Sequence, residues 1–493
     1  MQKNDPLTLI ALTILLLTST LVSSAAGPAR ASVLPASMQL QTLPSWQARG
    51  VEQGDRLGVA VAGAGFVNGD LFTDILVGVE KGGADKQGQA QLYLGGAGGP
   101  EGVASWQVLG ETRGGLFGAA LDGAGDVNND GWDDILVGAA NYTLSSEQAG
   151  EGAVYLYYGS DNGPALNYDW KYESDLKGAN LGAAVAGAGY INDDDYADIV
   201  VGLPHYSTDT LENAGAAYVF YGSENGLAAA YDWIDVGGQG YALFGAEVNA
   251  AGDVNGDGFD DVLVGAPFYN DPASGFDDVG IVYLYMGGES GLSNVPAWSF
   301  KGSQTGQRVG VSAAAAGDVN GDHCADVVIG APGYNFGELL NAGRAYVFYG
   351  CRGTGSGLND TPEWGYSFPQ AGAGLGIDVS SGGDTDGDGY DEVLVGAHLY
   401  DGEQSGEGTV FAFFGGLGGL APEAAWRVEG NKNDTQFGYA VDSAGDTNGD
   451  GLSDALIGAP QFRVEELLRG SAFLYFGTEK ASVYLTHLPF IRK

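Results

Sequence analysis

The chain has 493 residues, 63 acidic and 20 basic, and a formal charge of −43. That balance excludes a nucleic-acid partner, whose phosphates must be met by Lys and Arg, and for the same reason an anionic membrane surface. Gly supplies 86 residues while aromatics still make up 11%; disorder depletes aromatics, so the glycines read as turns and bulges of an ordered chain.

Residues 1–31 read as an export signal. Lys3 precedes an apolar run from Leu7 to Val22, and Ala29-Arg30-Ala31 offers a small-x-small cleavage site, with Ser23-Ser24-Ala25 as an earlier one. The competing reading is an uncleaved anchor, against which stand the short run and its small-residue flanks. Residues 32–45 follow as a linker. No later stretch is long and apolar enough to cross a bilayer, so the expected product is secreted or held at the cell surface, with no stable membrane span after cleavage.

From Trp46 onward one unit recurs. Trp46, Trp106, Trp170, Trp233, Trp298, Trp364 and Trp426 each open a copy. Eleven residues later stands Leu57, Phe117, Leu181, Phe244, Val309, Leu375 or Phe437, each followed by Gly. Twenty-eight residues after each Trp stands Asp74, Asp134, Asp198, Asp261, Asp326, Glu392 or Asp454. Each unit reads as four short strands with Gly-rich turns, and none shows helical periodicity. Four-stranded repeats of about 60 residues predict an all-β, seven-bladed β-propeller over 46–477. The last copy ends with the strand Phe473–Gly477, and no eighth Trp strand follows. Placing the Trp strand outermost in the preceding blade lets Trp46 complete blade seven and leaves no unpaired edge. In the opposite assignment Trp opens its own blade and the ring lacks that interlock.

A nine-residue acidic loop recurs before each apolar strand, clearest in Asp253-Val254-Asn255-Gly256-Asp257-Gly258-Phe259-Asp260-Asp261. Oxygen-bearing side chains fall at positions 1, 3, 5 and 9, the pattern by which a tight loop gathers the hard oxygen ligands of calcium, with a backbone carbonyl from position 7. Unlike an EF-hand, the loop closes at position 9 and runs into a strand. Five copies are complete. The first two are Asp126, Asn128, Asp130 and Asp134, then Asp253, Asn255, Asp257 and Asp261. The third is Asp318, Asn320, Asp322 and Asp326. The last two are Asp384, Asp386, Asp388 and Glu392, then Asp446, Asn448, Asp450 and Asp454. Trp132, Phe259, Cys324, Tyr390 and Leu452 stand at their position 7. About five Ca2+ sites are therefore expected, with a structural role. Two copies are damaged. One has Phe66 and Leu71 at positions 1 and 6 and keeps Asn68, Asp70 and Asp74. The other has Tyr190 and Asp195 there and keeps Asn192, Asp194 and Asp198. Weak binding or none is expected in these.

Phe244-Gly245, the loop 253–261 and Gly265-Ala266-Pro267, with Gly330-Ala331-Pro332 and Gly458-Ala459-Pro460, resemble the FG-GAP repeats of the integrin α-subunit head. The resemblance covers about 46–477. It implies a seven-bladed propeller with calcium loops on a lower face, ligand contacts on an upper face and closure by the first strand in the last blade. Similar repeats occur in glycosylphosphatidylinositol-specific phospholipase D and in some fungal sugar-binding propellers. Departures from integrins are the absence of an inserted domain between blades, of leg domains and of an anchor. A phospholipase would need a separate zinc domain.

Tyr142, Tyr206, Tyr269, Tyr334, Tyr400 and Phe462 each follow the Gly of an apolar strand by four residues, and the first unit has Gly82 there. The resemblance puts them on the upper face, where they either grip a partner or stack on sugars, or else pack each loop against the next blade. Cys324 and Cys351 fall at one end of one blade and form a candidate disulfide. His205, His323, His398 and His487 show no metal-ligand spacing, and no nucleophile elbow or phosphate loop is present. Residues 478–493 are a less repetitive tail. The expected function is an extracellular adhesion or interaction module, not an enzyme. A glycan-binding propeller is the alternative, and a polysaccharide lyase or hydrolase is less favoured.

Overall fold

A computed structural model describes residues 40–353 and 355–479. The expected signal segment, the first part of the expected linker and most of the tail, His487 included, lie outside the described residues. Seven four-stranded antiparallel sheets form the ring. Their inner strands are Leu57–Gly65, Phe117–Gly125, Val185–Gly189, Glu247–Gly252, Ala313–Gly317, Val379–Gly383 and Ala440–Gly445, defining blades 1 to 7. The second strands are the apolar runs, such as Asp261–Ala266, and are buried along their whole length. The Trp strand is outermost in the preceding blade, as expected. Trp46–Arg49 closes blade 7 by pairing with Ser471–Tyr475, Trp46 opposite Leu474 and Arg49 opposite Ser471. Leu40, within the expected linker, is fully buried and bridges Gly477, so the closing strand is anchored beyond its own length.

The repeated residues explain one another. Each Trp indole packs edge-to-face on an aromatic of the next blade's third strand, Trp106 on Tyr157 at 5.0 Å and Trp298 on Phe348 at 4.8 Å. Its Nε1–H donates to a carbonyl of that blade's last lower loop, Trp106 to Ala165 (2.8 Å) and Trp298 to Asn359 (3.0 Å). Trp426 closes the series on Gln41, at 3.0 Å. Such pairs add about 0.5–1.5 kcal/mol to the area they bury.

The glycine pair of the motif is a single contact. Gly245 adopts φ 79°, open to glycine at little cost, and its carbonyl oxygen lies against Gly202 of the preceding blade, where a Cβ would overlap it. Inner strands carry mostly small residues because seven of them converge on the axis. They enclose a channel of about 480 Å³.

Candidate metal centres

Each acidic loop joins an inner strand to a second strand, so all seven sit on one face of the ring. A bulge at a glycine just before position 1 turns the chain into the loop; in blade 4 this is Gly252, at φ 70°. The position 1 carboxylate then gathers the loop's own amides. Asp253 accepts from Gly256 (2.7 Å) and Asp257 (3.0 Å) at Oδ1 and from Gly258 (2.8 Å) at Oδ2. Asp384 and Asp446 repeat this set. Asp126 accepts the equivalent bonds from Asp130 and Gly131. All five complete loops place position 6 in the left-handed region, through Gly131, Gly258, His323, Gly389 and Gly451. Leu71 and Asp195 of the damaged loops do not adopt it.

Positions 3 and 5 are tied to each other in the same way. The side-chain oxygens of Asn128, Asn255 and Asn448 accept from the position 5 amides of Asp130 (3.0 Å), Asp257 (2.8 Å) and Asp450 (2.9 Å). Asp450 accepts in turn from the Leu452 amide at 3.0 Å. The amide nitrogens of Asn128 and Asn255 donate to Asp130 and Asp257, at 2.9 Å each. The expected ligand oxygens Asn128, Asn448 and Asp450 are therefore engaged in hydrogen bonds within their own loops. Nor do the acids of these loops close as tightly as a three-carboxylate set. Asp126, Asp130 and Asp134 do not come within 4.8 Å of one another, and neither do Asp446, Asp450 and Asp454. The position 9 acid stays back at the start of its strand, held by main-chain amides, while positions 1 and 5 stand in the turn.

The blade 6 loop alone among the complete loops carries an acid at position 3 as well. Asp384, Asp386 and Asp388 each offer a carboxylate oxygen, all within 4.8 Å of one another. Glu392 is fully buried, and its Oε2 accepts from the amide and hydroxyl of Thr385, both at 2.7 Å. Its Oε1 is buried without a hydrogen-bond donor. Burial pushes Glu392 up to about 8 and, in the other complete loops, Asp134 up to about 8 and Asp261, Asp326 and Asp454 up to about 7. Converging carboxylates with a buried, undonated oxygen fit a hard divalent cation, which would favour their ionised forms.

The blade 5 loop differs. Asn320 turns its amide nitrogen onto Asp326, at 3.1 Å to both oxygens, and Arg352 reaches Asp322 at 3.3 Å. Cys324 and Cys351 are joined as a disulfide, with Cα atoms 6.0 Å apart.

Two features of the loops are not evident in the ligand pattern. The position 9 acid also has a mechanical role: Asp261 accepts from Val254 (3.1 Å) and from Gly287 (3.0 Å), tying its loop to the end of the third strand. Asp74 and Asp198 make the same two bonds in the damaged loops. The position 4 glycine lies under the position 7 side chain of the next loop. A Cβ on Gly321 would strike Tyr390, and one on Gly387 would press on Leu452.

The opposite face carries the six aromatics. Tyr142, Tyr400 and Phe462 are buried, and Tyr206, Tyr269 and Tyr334 half-buried. Lys171 lies 4.0 Å over Tyr142, Arg427 4.4 Å over Tyr400 and Lys432 4.3 Å over Phe462. Those ring faces are taken by the protein's own cations.

The axial channel holds four carboxylates that belong to no sequence motif: Asp122, Glu247, Asp378 and Asp442. Ser312 Oγ donates to Asp378 (2.9 Å) and Ser380 Oγ to Asp442 (2.6 Å). Burial raises all four, Asp378 to about 6.

The FG-GAP repeat model matches residues 117–157, 244–285, 310–348, 375–413 and 437–473. Each match runs from the start of an inner strand, or the residues just before it, to the third strand, in blades 2, 4, 5, 6 and 7. These are the blades with complete acidic loops. The chain is an integrin-α-like FG-GAP repeat propeller. It is 33% identical over 241 residues to integrin alpha-5 of Xenopus laevis, covering 47% of this chain and 20% of that protein. It is 32% identical over 181 residues to integrin alpha-6 of Gallus gallus, covering 36% and 16%. It is 29% identical over 399 residues to human phosphatidylinositol-glycan-specific phospholipase D, covering 73% and 44%. The FG-GAP chain thus spans less than half the length of each of these relatives. Among the described residues no helix is long and apolar enough to cross a membrane.

Proposed function

We propose that this FG-GAP propeller is an extracellular interaction module for protein partners, its lower face held by calcium in the five complete hairpin loops. The observation that carries the metal assignment is the blade 6 loop, where three carboxylates converge beside a buried glutamate with an undonated oxygen. In the other loops, Asn128, Asn448 and Asp450 would exchange their hydrogen bonds within the loop for contact with the ion. Trp132, Phe259, Cys324, Tyr390 and Leu452 would supply the carbonyl ligands. Arg352 supplies part of the countercharge in blade 5, so calcium there is the weakest of the five. The Cys324–Cys351 bond fits an oxidising, exported location.

On the opposite face, cations over Tyr142, Tyr400 and Phe462 weigh against sugar stacking there. Loops over consecutive blades instead expose Tyr241 at 57%, Phe276 at 41% and Leu340 at 62%. Apolar tips on a polar, acidic surface suit a protein contact. The phospholipase relative raises an enzymatic reading. The hairpin-loop acids are taken up by the proposed metal role, which favours binding over turnover.

The test is a three-part measurement on the exported chain: calcium content, a glycan array, and binding to surface proteins of the producing culture. Calcium in about five hairpin loops per chain and a protein partner lost with Phe276→Ser/Leu340→Ser are expected. Array binding that survives that double variant but not Tyr206→Ala would establish the glycan reading instead. Absence of calcium would remove the metal assignment.

A further inference from the structure

A second group of acids lies on the face opposite the hairpin loops. Glu151 stands in the loop between the second and third strands of blade 2, one residue before Gly152. Glu173 ends the outer strand Trp170–Glu173 and is paired in register with Ala153. Asp175 follows at φ 56°. One carboxylate oxygen from each lies within 4.8 Å of the others.

Glu151 is the unusual member. It is 0% exposed. Its Oε1 accepts from the Leu144 amide at 2.9 Å, while Oε2 is buried with no donor at all. A buried carboxylate oxygen without a donor, on a residue grouped with two other acids, lacks the compensation that burial demands. Lys171 does not provide it. Its ammonium is engaged by Glu111 (2.6 Å) and Glu173 Oε1 (2.7 Å) and sits over Tyr142.

The same arrangement recurs in blade 6. Glu407 is 1% exposed, accepts from the Gln404 amide at 3.2 Å through Oε1, and has Oε2 buried without a donor. Glu429 ends the outer strand opposite Thr409, and Asn431 takes the place of Asp175 at the same φ of 56°. Other blades put Gln87 with Leu109, Ala214 with Val236, or Val279 with Lys301 at the two glutamate positions. The two acids thus arrive together.

We propose that Glu151, Glu173 and Asp175 form a divalent-cation site on the upper face. An all-carboxylate set selects a hard ion such as Ca2+ or Mn2+. The ion supplies the positive partner that Glu151 Oε2 lacks, and exposed Asp175 leaves a route in from solvent.

The test uses the full exported chain. Crystals grown with Mn2+ are expected to show an anomalous peak among the three carboxylates, separate from those in the hairpin loops. By equilibrium dialysis, Glu173→Gln/Asp175→Asn should bind one Ca2+ fewer than the wild type. Asp175→Asn alone, changed only at an exposed position, should weaken uptake at this site at least tenfold while the hairpin loops fill as before. Filled hairpin loops with no peak at Glu151, or equal stoichiometry in wild type and double variant, would overturn the assignment. Because the hairpin loops are read in the same crystals, failure here is distinguishable from failure of the lower-face calcium assignment.

Discussion

The lower-face assignment makes a prediction that separates metal from mere turn structure. Asp257, at position 5 of the blade 4 loop, accepts from the Phe259 amide at 3.1 Å. Asp194, at position 5 of the damaged blade 3 loop, accepts from Tyr196 at 3.0 Å. Truncating either to Ala removes that local main-chain hydrogen bond, with a net cost of about 0.5–1 kcal/mol, and in Asp257 also the exposed bond from the Asn255 side-chain amide. Under the proposed assignment only Asp257 would also be a ligand. A site with calcium at a hundredfold its Kd adds about 2.7 kcal/mol to folding stability. A ring of about 430 residues unfolds with an entropy near 0.9 kcal/mol/K, so one site is equivalent to about 3 °C in Tm. By scanning calorimetry, Asp257→Ala should lose about 4 °C in calcium and no more than about 1 °C in chelator, where its removal relieves repulsion from Asp253. Asp194→Ala should lose about 1 °C in both. Equal losses for the two variants in calcium, or a wild-type Tm indifferent to chelator, would refute the reasoning.

Other consequences can be measured on the same protein. Trp298→Phe deletes the indole donor to the Asn359 carbonyl and should cost about 2 kcal/mol, read as a lower urea midpoint at unchanged m. Gly330→Ala drives a Cβ into the Gly376 carbonyl and should cost about 1–3 kcal/mol, whereas Gly238→Ala, with open space around it, should be near neutral in the same melt. Asp378 tests the channel. Its folded pKa, raised by burial to about 6 from 3.8, means the native state holds a proton that the unfolded chain has lost between those values. Its contribution is therefore full below pH 4, falls as pH rises through 6, and is level above; the span is about 3 kcal/mol. In chelator, Asp378→Asn should flatten the wild-type decline in stability between pH 4 and 6, and an unchanged slope would count against a raised Asp378.

The blade count, strand order and closure were legible because two spacings counted from each Trp hold through all seven copies, and a strand at position 46 has nowhere to pair except the last blade. The candidate calcium ligands were legible for the same reason, being local in sequence. Spacing did not reveal that Asn128 and Asn448 spend their oxygens on the next acid's amide, because that depends on the turn's backbone geometry. What also escaped is what neighbouring blades make jointly. Asp122, Glu247, Asp378 and Asp442 are single acids in or just before inner strands, more than 60 residues apart in sequence, and only convergence on the axis makes them a group. The state of the six aromatics depends on a cation from another element, as Lys171 over Tyr142 shows. Glu151 does not stand out in the sequence because its significance lies in an undonated oxygen, which no spacing reveals.

The damaged loops show how the lower face tolerates missing ligands. Phe66 and Tyr190 have lost the position 1 carboxylate, yet their main-chain carbonyls still accept from position 8 of the next loop, Asp133 (3.2 Å) and Asp260 (3.0 Å). The series continues from Ala197 to Asp126, Ala325 to Asp253, Asp391 to Asp318, Ser453 to Asp384 and, across the closure, Thr73 to Asp446. Seven such bonds circle the face, and they need backbone geometry rather than acids. Loops 1 and 3 keep that geometry through Asp74 and Asp198 at position 9. Each damaged loop is also flanked by two complete ones, so an ion on either side would brace the carbonyl or amide to which it is bonded. Position 1 can therefore be lost in isolated blades without opening the ring, whereas an acid stands at position 9 in all seven and, as Asp, ties its loop to the third strand in every blade but the sixth.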